Sequence, residues 1–350
     1  MQIRRKYTRA NVEQLFFPVE EHGLLYFDKS ACRTYNIPGY KALVDAESGR
    51  TLSVVSSHYK TVTNKDAYNI IRPIASELFG GHGVEDFECF NVYMPKSRAS
   101  CRIDLTRPQT CSFVLPNDDK YMAFIRIANS YNRTSRLSLT IGFCRWICQN
   151  GCIFGEKSYT LSVDHADNRL GDPGFLRKVA DEATAAIGDL ATVQKTFMDA
   201  LVMLTHVRVD RRQMRNLFCR VNEIYLDEGG VAALTGKRRE RLIEINSRLD
   251  SLVDSYVEEF GETAYAAYNV LTDFASYPNA NKQHPVYSPS LQRRVGAWLV
   301  DFTEYIKSTN GNIDRYLDEY AESAALLARL SDIPAQSTAA PKFAQQDFGF

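Results

Sequence analysis

The hydrophobic period of this chain changes once, at Gly171-Asp172-Pro173-Gly174, and that change restricts the fold more than any other feature of the sequence. Before it, residues 41–163 read as short β-branched and aromatic runs punctuated by Gly, Asn, Pro and Asp, the pattern of strands and turns. After it, alanine, leucine and charge recur at helical spacing. Strands gathered in one half and helices in the other imply an α+β fold, not an alternating α/β one. The expected architecture is a β-rich N-terminal domain with an antiparallel or mixed sheet and one early helix, followed by an all-helical C-terminal region. The boundaries read as an N-terminal arm (1–39), a β-rich domain (40–170), a helical domain (171–330) and a disordered tail (331–350).

Within the first half the spacing predicts a hairpin from 41–45 and 51–56 about the turn Glu47-Ser48-Gly49-Arg50. Further strands are expected at 87–93, 100–105, 111–115, 121–127, 137–143 and 158–163. Asn64 is placed to cap the early helix, Gly80-Gly81 to end it, and Pro73 predicts a kink inside it. In the second half, helices are expected at 175–204, 211–226, 236–260, 263–277, 290–308 and 313–330.

Charge follows the same division. The 42 basic and 42 acidic residues cancel, which removes the simplest case for a protein that coats a polyanion. Residues 1–170 nevertheless hold 22 Lys/Arg against 17 Asp/Glu, a net +5, so residues 171–350 carry −5. Nine basic residues and three acidic ones fall between Met94 and Trp146, interleaved with Phe113, Tyr121, Phe124, Tyr131, Phe143 and Trp146. Single-stranded nucleic acid needs that combination, because phosphates attract Lys and Arg while unstacked bases need a π-face. An ordinary sheet with aromatics inward and cations outward produces the same pattern. A second cluster, Arg208, Arg211, Arg212, Arg215 and Arg220, reads as a charged helix face balanced by the acidic helices.

Other chemistry is disfavoured. Cys144, Cys148 and Cys152 are spaced four apart with His165 following, which does not fit the common zinc knuckle, and no metal or other cofactor is expected. No phosphate-cradling glycine loop, dinucleotide fingerprint or paired-carboxylate motif occurs, so the chain is read as a binding protein and not an enzyme. A nucleophile at Cys148 served by His165 is the enzymatic alternative. No apolar run is long enough to cross a bilayer, and the first residues lack the apolar stretch of a signal peptide. A cytoplasmic protein with no membrane partner and reduced cysteines is therefore expected. The tip Asp347-Phe348-Gly349-Phe350 resembles the partner-recruiting peptides of bacterial single-strand-binding proteins, with one acidic residue where those carry several.

Three ordered stretches carry a family resemblance: residues 54–64 (Val-Val-Ser-Ser-His-Tyr-Lys-Thr-Val-Thr-Asn), then Ala128-Asn129-Ser130-Tyr131-Asn132-Arg133, then Arg145-Trp146-Ile147-Cys148-Gln149-Asn150-Gly151. With His165 and the helix at 263–275 they resemble the phage and plasmid-like family called domain of unknown function 932, over roughly residues 40–302. Where that family shows Asp-Gly after Asn-Ser-x, this chain has Asn132-Arg133. The resemblance implies origin on a phage, prophage or plasmid and supplies no reaction. Asn129 and Asn150 read either as turn-formers or as polar contacts in a groove. The expected function is a mobile-element accessory protein that binds nucleic acid, single-stranded DNA in preference to duplex, with homo-oligomerisation through the helices. Tyr59, Tyr131 and Trp146 would stack on bases, Lys60, Arg126, Arg133, Arg136 and Arg145 would meet phosphates, and Asn129 and Asn150 would line the groove. The alternative is a protein-binding module that inhibits or decoys a host defence or replication protein through its acidic helices.

Overall fold

The computed structural model describes residues 12–70, 88–106, 112–145, 151–153, 160–165, 190–234, 236–276 and 289–332, with single positions between 167 and 181. Strands β1 (Val19–Asp28), β2 (Arg33–Asp45) and β3 (Arg50–Ser56) form an antiparallel sheet in that order. The expected hairpin at 41–45 and 51–56 is its β2–β3 half. Because β3 reaches only as far as Tyr40, residues 24–37 continue beyond it as a two-stranded ribbon. Local chemistry fixes both turns. At the ribbon tip, Asp28 Oδ1 accepts from Ser30 N (2.8 Å), Ser30 Oγ (2.6 Å) and Ala31 N (3.2 Å), and Cys32 is left-handed. At the second turn the buried Asp45 carboxylate accepts from Glu47 N (3.0 Å) and Ser48 Oγ (2.8 Å) while Gly49 supplies the positive φ of 68°. Arg98 Nη1 donates to Asp45 at 2.6 Å, and its guanidinium lies 3.8 Å from the centre of the Phe17 ring. The sequence pattern predicts no strand within residues 1–39, so the ribbon is the main addition to the fold.

The early helix, α1, is described over 64–70; the expected kink at Pro73 and the stop at Gly80-Gly81 lie outside the described residues. The second sheet contains β4 (Glu88–Tyr93), β5 (Ser100–Thr106), β6 (Ser112–Val114), β7 (Lys120–Ser130), β8 (Leu137–Arg145), β9 (Gly151–Cys152) and β10 (Thr160–Val163). Its order is β10-β8-β7-β5-β4, antiparallel throughout, with β6 also paired to β7 and β9 to β8. Six of these seven strands fall where alternation placed them.

Residues 121–130 of β7 are all buried, where a sheet with one wet face would alternate. Both faces are covered. On one, Phe197 of α2 (Leu190–His206) stacks on Phe143 at 4.5 Å and meets Tyr121 and Phe113 edge-on. On the other, Met122, Phe124 and Cys144 form a small cluster, and Arg126 reaches Gln292 of α7 (Pro289–Ser308).

The chain divides into two compact units, residues 1–204 with 272–304, and residues 205–271 with 305–350. The second is helical: α3 (Arg211–Val221), α4 (Glu228–Ala233), α5 (Gly236–Phe260), the start of α6 (Ala264–Ser276), α8 (Asp314–Asp318) and α9 (Ala321–Ala328). A capping box opens α3, with Asp210 accepting from Gln213 N (2.7 Å) and Gln213 Oε1 accepting from Asp210 N (2.9 Å). The left-handed Glu223 follows its end, so the helix expected at 211–226 stops at Val221; the one expected at 313–330 is two. Arg208 faces Glu262, Arg211 faces Asp254, Arg212 faces Asp318, Arg215 faces Asp250 and Arg220 faces Glu319, so this basic cluster is balanced within its own unit. Among the described residues no helix is long and apolar enough to cross a membrane.

Gly142 in β8 tests the packing of the second sheet. A Cβ there would lie 2.4 Å from Phe124 Cζ and 2.8 Å from the Cys152 carbonyl oxygen. Gly142→Ala should therefore destabilise the chain by about 1–3 kcal/mol in thermal or denaturant unfolding, as overpacking does. Phe124→Leu in the same chain should recover part of the loss.

Candidate nucleic-acid interface

The covered second sheet decides what its charged residues can do. Arg126 is buried and meets the buried Asp104 through two parallel bonds, Nε to Oδ1 at 2.7 Å and Nη2 to Oδ2 at 2.9 Å, while Nη1 donates to Gln292 Oε1 at 2.7 Å. Arg145 is buried too, with Nε 2.6 Å from Asp119 Oδ1. Neither guanidinium is presented to a phosphate. The alternation that suggested outward cations fails here because helices cover both faces, so each cation took an internal carboxylate as partner.

The two tyrosines expected to stack on bases are core residues. Tyr131 is fully buried with Phe17, Leu43, Leu52, Val55 and Tyr59 where the first sheet packs on the end of the second. Its hydroxyl accepts from Asn64 N at 3.0 Å, which fixes the start of α1. The Tyr59 hydroxyl donates to the Ser130 carbonyl at 2.5 Å, and its ring stacks on His165 with centroids 4.8 Å apart. Burial pushes both phenols above their ordinary pKa. Asn129 is neither a turn-former nor a groove contact. It is a buried strut whose Nδ2 donates to the Val62 carbonyl (2.8 Å) and Asn64 Oδ1 (3.1 Å). His165 Nδ1 lies 3.1 Å from the Lys60 carbonyl, and burial holds the ring below the ordinary histidine pKa, so we assign it as neutral with the proton on Nδ1.

Three expected contacts remain at the surface, and they gather at one sheet end. Lys60 is exposed, and its N–H donates to the His165 carbonyl at 2.7 Å. Arg136 is exposed, with Asp164 at 3.6 Å. Arg133 is exposed and close enough for its charge to act on the Tyr59 hydroxyl. Its φ of 62° is the left-handed conformation that glycine adopts most easily. The turn that the family resemblance assigns to glycine thus keeps its shape while carrying a cation. Trp146 and Asn150 lie outside the described residues.

This sheet end continues into the ribbon. Glu21 Oε1 accepts from Lys41 Nζ (2.7 Å) and Thr61 Oγ1 (2.6 Å). Partial burial pushes the Glu21 carboxyl up, but these bonds and the charges of Lys41 and Lys60 outweigh it and hold the pKa below the usual carboxylate range. Beyond this root the ribbon exposes large rings, Tyr26 (54% accessible), Phe27 (53%) and Tyr35 (46%), and Tyr40 (56%) is exposed where β2 leaves β3. Tyr26 and Tyr35 are direct cross-strand partners and share one face, with Arg33 two residues before Tyr35 on the same side. Sequence pattern alone reads these residues as an arm. The signal for a ribbon is nonetheless present in Leu24-Leu25-Tyr26-Phe27 and Tyr35-Asn36-Ile37 on either side of the Asp28-Lys29-Ser30 turn.

The family model described as "Domain of unknown function (DUF932)" matches residues 51–298. No curated protein and no solved structure matches the chain.

If Arg126 serves the fold, removing its counterion should unfold the chain. Asp104→Ala should destabilise it by about 3–5 kcal/mol in denaturant titration, since it strands a buried guanidinium, whereas Asp104→Leu with Arg126→Met should recover most of that loss.

Proposed function

This chain belongs to the DUF932 family, whose description names no activity, and we propose that it is a mobile-element accessory protein that binds single-stranded nucleic acid through its ribbon. One observation carries the reading. Among the described residues, the exposed aromatic rings of the ribbon continue from a root within reach of the Lys60 charge, and Lys60 shares its sheet end with the exposed Arg133 and Arg136. The stacking surface is thereby moved from Tyr59 and Tyr131 to Tyr26, Tyr35 and Tyr40. The phosphate contacts keep three of the expected five cations and gain Arg33 and Lys29 near the tip.

The physical logic follows from what each polymer exposes. Bases in a duplex are stacked and present only their edges, whereas a single strand offers π-faces that tyrosine rings can take up regardless of sequence. A ring pair on adjacent strands is held at about 5 Å by the sheet itself, so little ordering is needed on binding. The rival reading, capture of a host protein by acidic helices, is weakened because Asp250, Asp254, Asp318 and Glu319 already face arginines of their own unit.

Anisotropy of a labelled single-stranded oligonucleotide, with duplex as competitor, tests the assignment. Tyr26→Ala with Tyr35→Ala should weaken binding by at least about 30-fold, from about 1–3 kcal/mol per stacked base, and leave the salt dependence unchanged. Lys60→Gln with Arg133→Gln should weaken binding and flatten the salt dependence by about 0.7 in logarithmic slope for each phosphate that is no longer neutralised. Equal affinity for duplex, or unchanged affinity in the tyrosine variant, would overturn the proposal.

A further inference from the structure

The ribbon has a second face and a free edge, and neither is used by the reading above. Register places Leu25 opposite Asn36 and Phe27 opposite Thr34, on the side away from Tyr26 and Tyr35. Leu25 is 68% and Phe27 53% accessible. Together these two side chains leave on the order of 240 Å² of apolar surface in water on that face, if a fully exposed ring or branched aliphatic presents about 200 Å². A two-stranded ribbon alone is also marginally stable in water, and this one runs past β3 with no third strand beside it among the described residues.

The geometry points to a second copy of this chain as the partner, joined through β1. In the sheet order β1-β2-β3, β1 is an edge strand, so the outer backbone groups of residues 24–28 have no ladder partner among the described residues. The other outer edge is blunted by Pro38, which has no N–H to donate. Two β1 strands paired antiparallel about a two-fold axis at Tyr26 form a closed, self-complementary contact. In that register Leu25 of each chain opposes Phe27 of the other and Asp28 opposes Leu24. No like charges meet, and the apolar residues meet one another.

The pairing makes one four-stranded sheet from two ribbons. On its opposite face, Tyr35 and Tyr26 of one chain continue into Tyr26 and Tyr35 of the other, at the roughly 4.8 Å strand spacing. The dimer stands independently of nucleic-acid binding; the row of four tyrosines is what it adds to that reading.

Light scattering of the full chain, without oligonucleotide, tests the pairing through its register. The unmodified chain should have twice the chain mass at high concentration. Leu25→Glu with Phe27→Glu places carboxylates opposite one another and should give a monomer. Leu25→Glu with Phe27→Lys places opposite charges across the axis and should restore the dimer. All three should share one far-ultraviolet circular dichroism spectrum and one unfolding midpoint at low concentration, since both positions are exposed. In a Cys32→Ser background, Tyr26→Cys should cross-link into a covalent dimer on mild oxidation. A single-chain mass for the unmodified protein at every concentration would overturn the inference, as would identical behaviour of the two charged variants. Loss of oligonucleotide binding with the dimer intact would instead count against the nucleic-acid reading alone.

Discussion

Coverage of the second sheet on both faces is the constraint from which the rest of this structure follows. With Phe197 packed on one side of β7 and Gln292 reaching Arg126 on the other, every residue from Tyr121 to Ser130 is buried. An ionised group in that setting must find a partner inside the protein, because the effective cost of burying it alone is several kcal/mol. Arg126 therefore meets Asp104 through two bonds and Arg145 meets Asp119. A basic sheet of this kind serves as a scaffold, and any surface that contacts a polyanion has to be built elsewhere.

The ribbon is anchored by a buried polar junction. Tyr131 and Tyr59, with their hydroxyls bonded to Asn64 and Ser130, fasten the first sheet and the start of α1 to the end of the second sheet. Asn129 and His165 hold the extended stretch between Lys60 and Asn64 from the other side. Ion pairs at Glu21 and Asp45 then fix the base from which the ribbon projects. The rings of the ribbon are thus presented from a rigid base while remaining in water themselves.

Much of the fold was legible in the sequence because period and punctuation are local signals. The hairpin about Gly49, the strand at 137–143 and the helix at 236–260 all announce themselves through alternation, turn residues or helical spacing. The site was far less legible. Alternation states that two faces exist but not that both are covered, so Arg126, Asn129, Tyr131 and Arg145 looked available when tertiary packing had enclosed them. The ribbon escapes sequence reading for the opposite reason. Its strands carry apolar residues on both faces, and the absence of strict alternation in Leu24-Leu25-Tyr26-Phe27 hides a strand that has no core to face. Arg133 shows a third limit, since a left-handed arginine cannot be told from sequence as a glycine turn retained under a different side chain.

On the proposed reading nucleic acid meets the ribbon and not the second sheet. Photocross-linking with a single strand carrying halogenated uracil, followed by mapping of the modified peptides, addresses it most directly, because the reaction marks residues in stacking contact. Adducts should fall on Tyr26, Tyr35 and Tyr40. Adducts confined to β7 and β8, with the ribbon unmodified, would contradict the account.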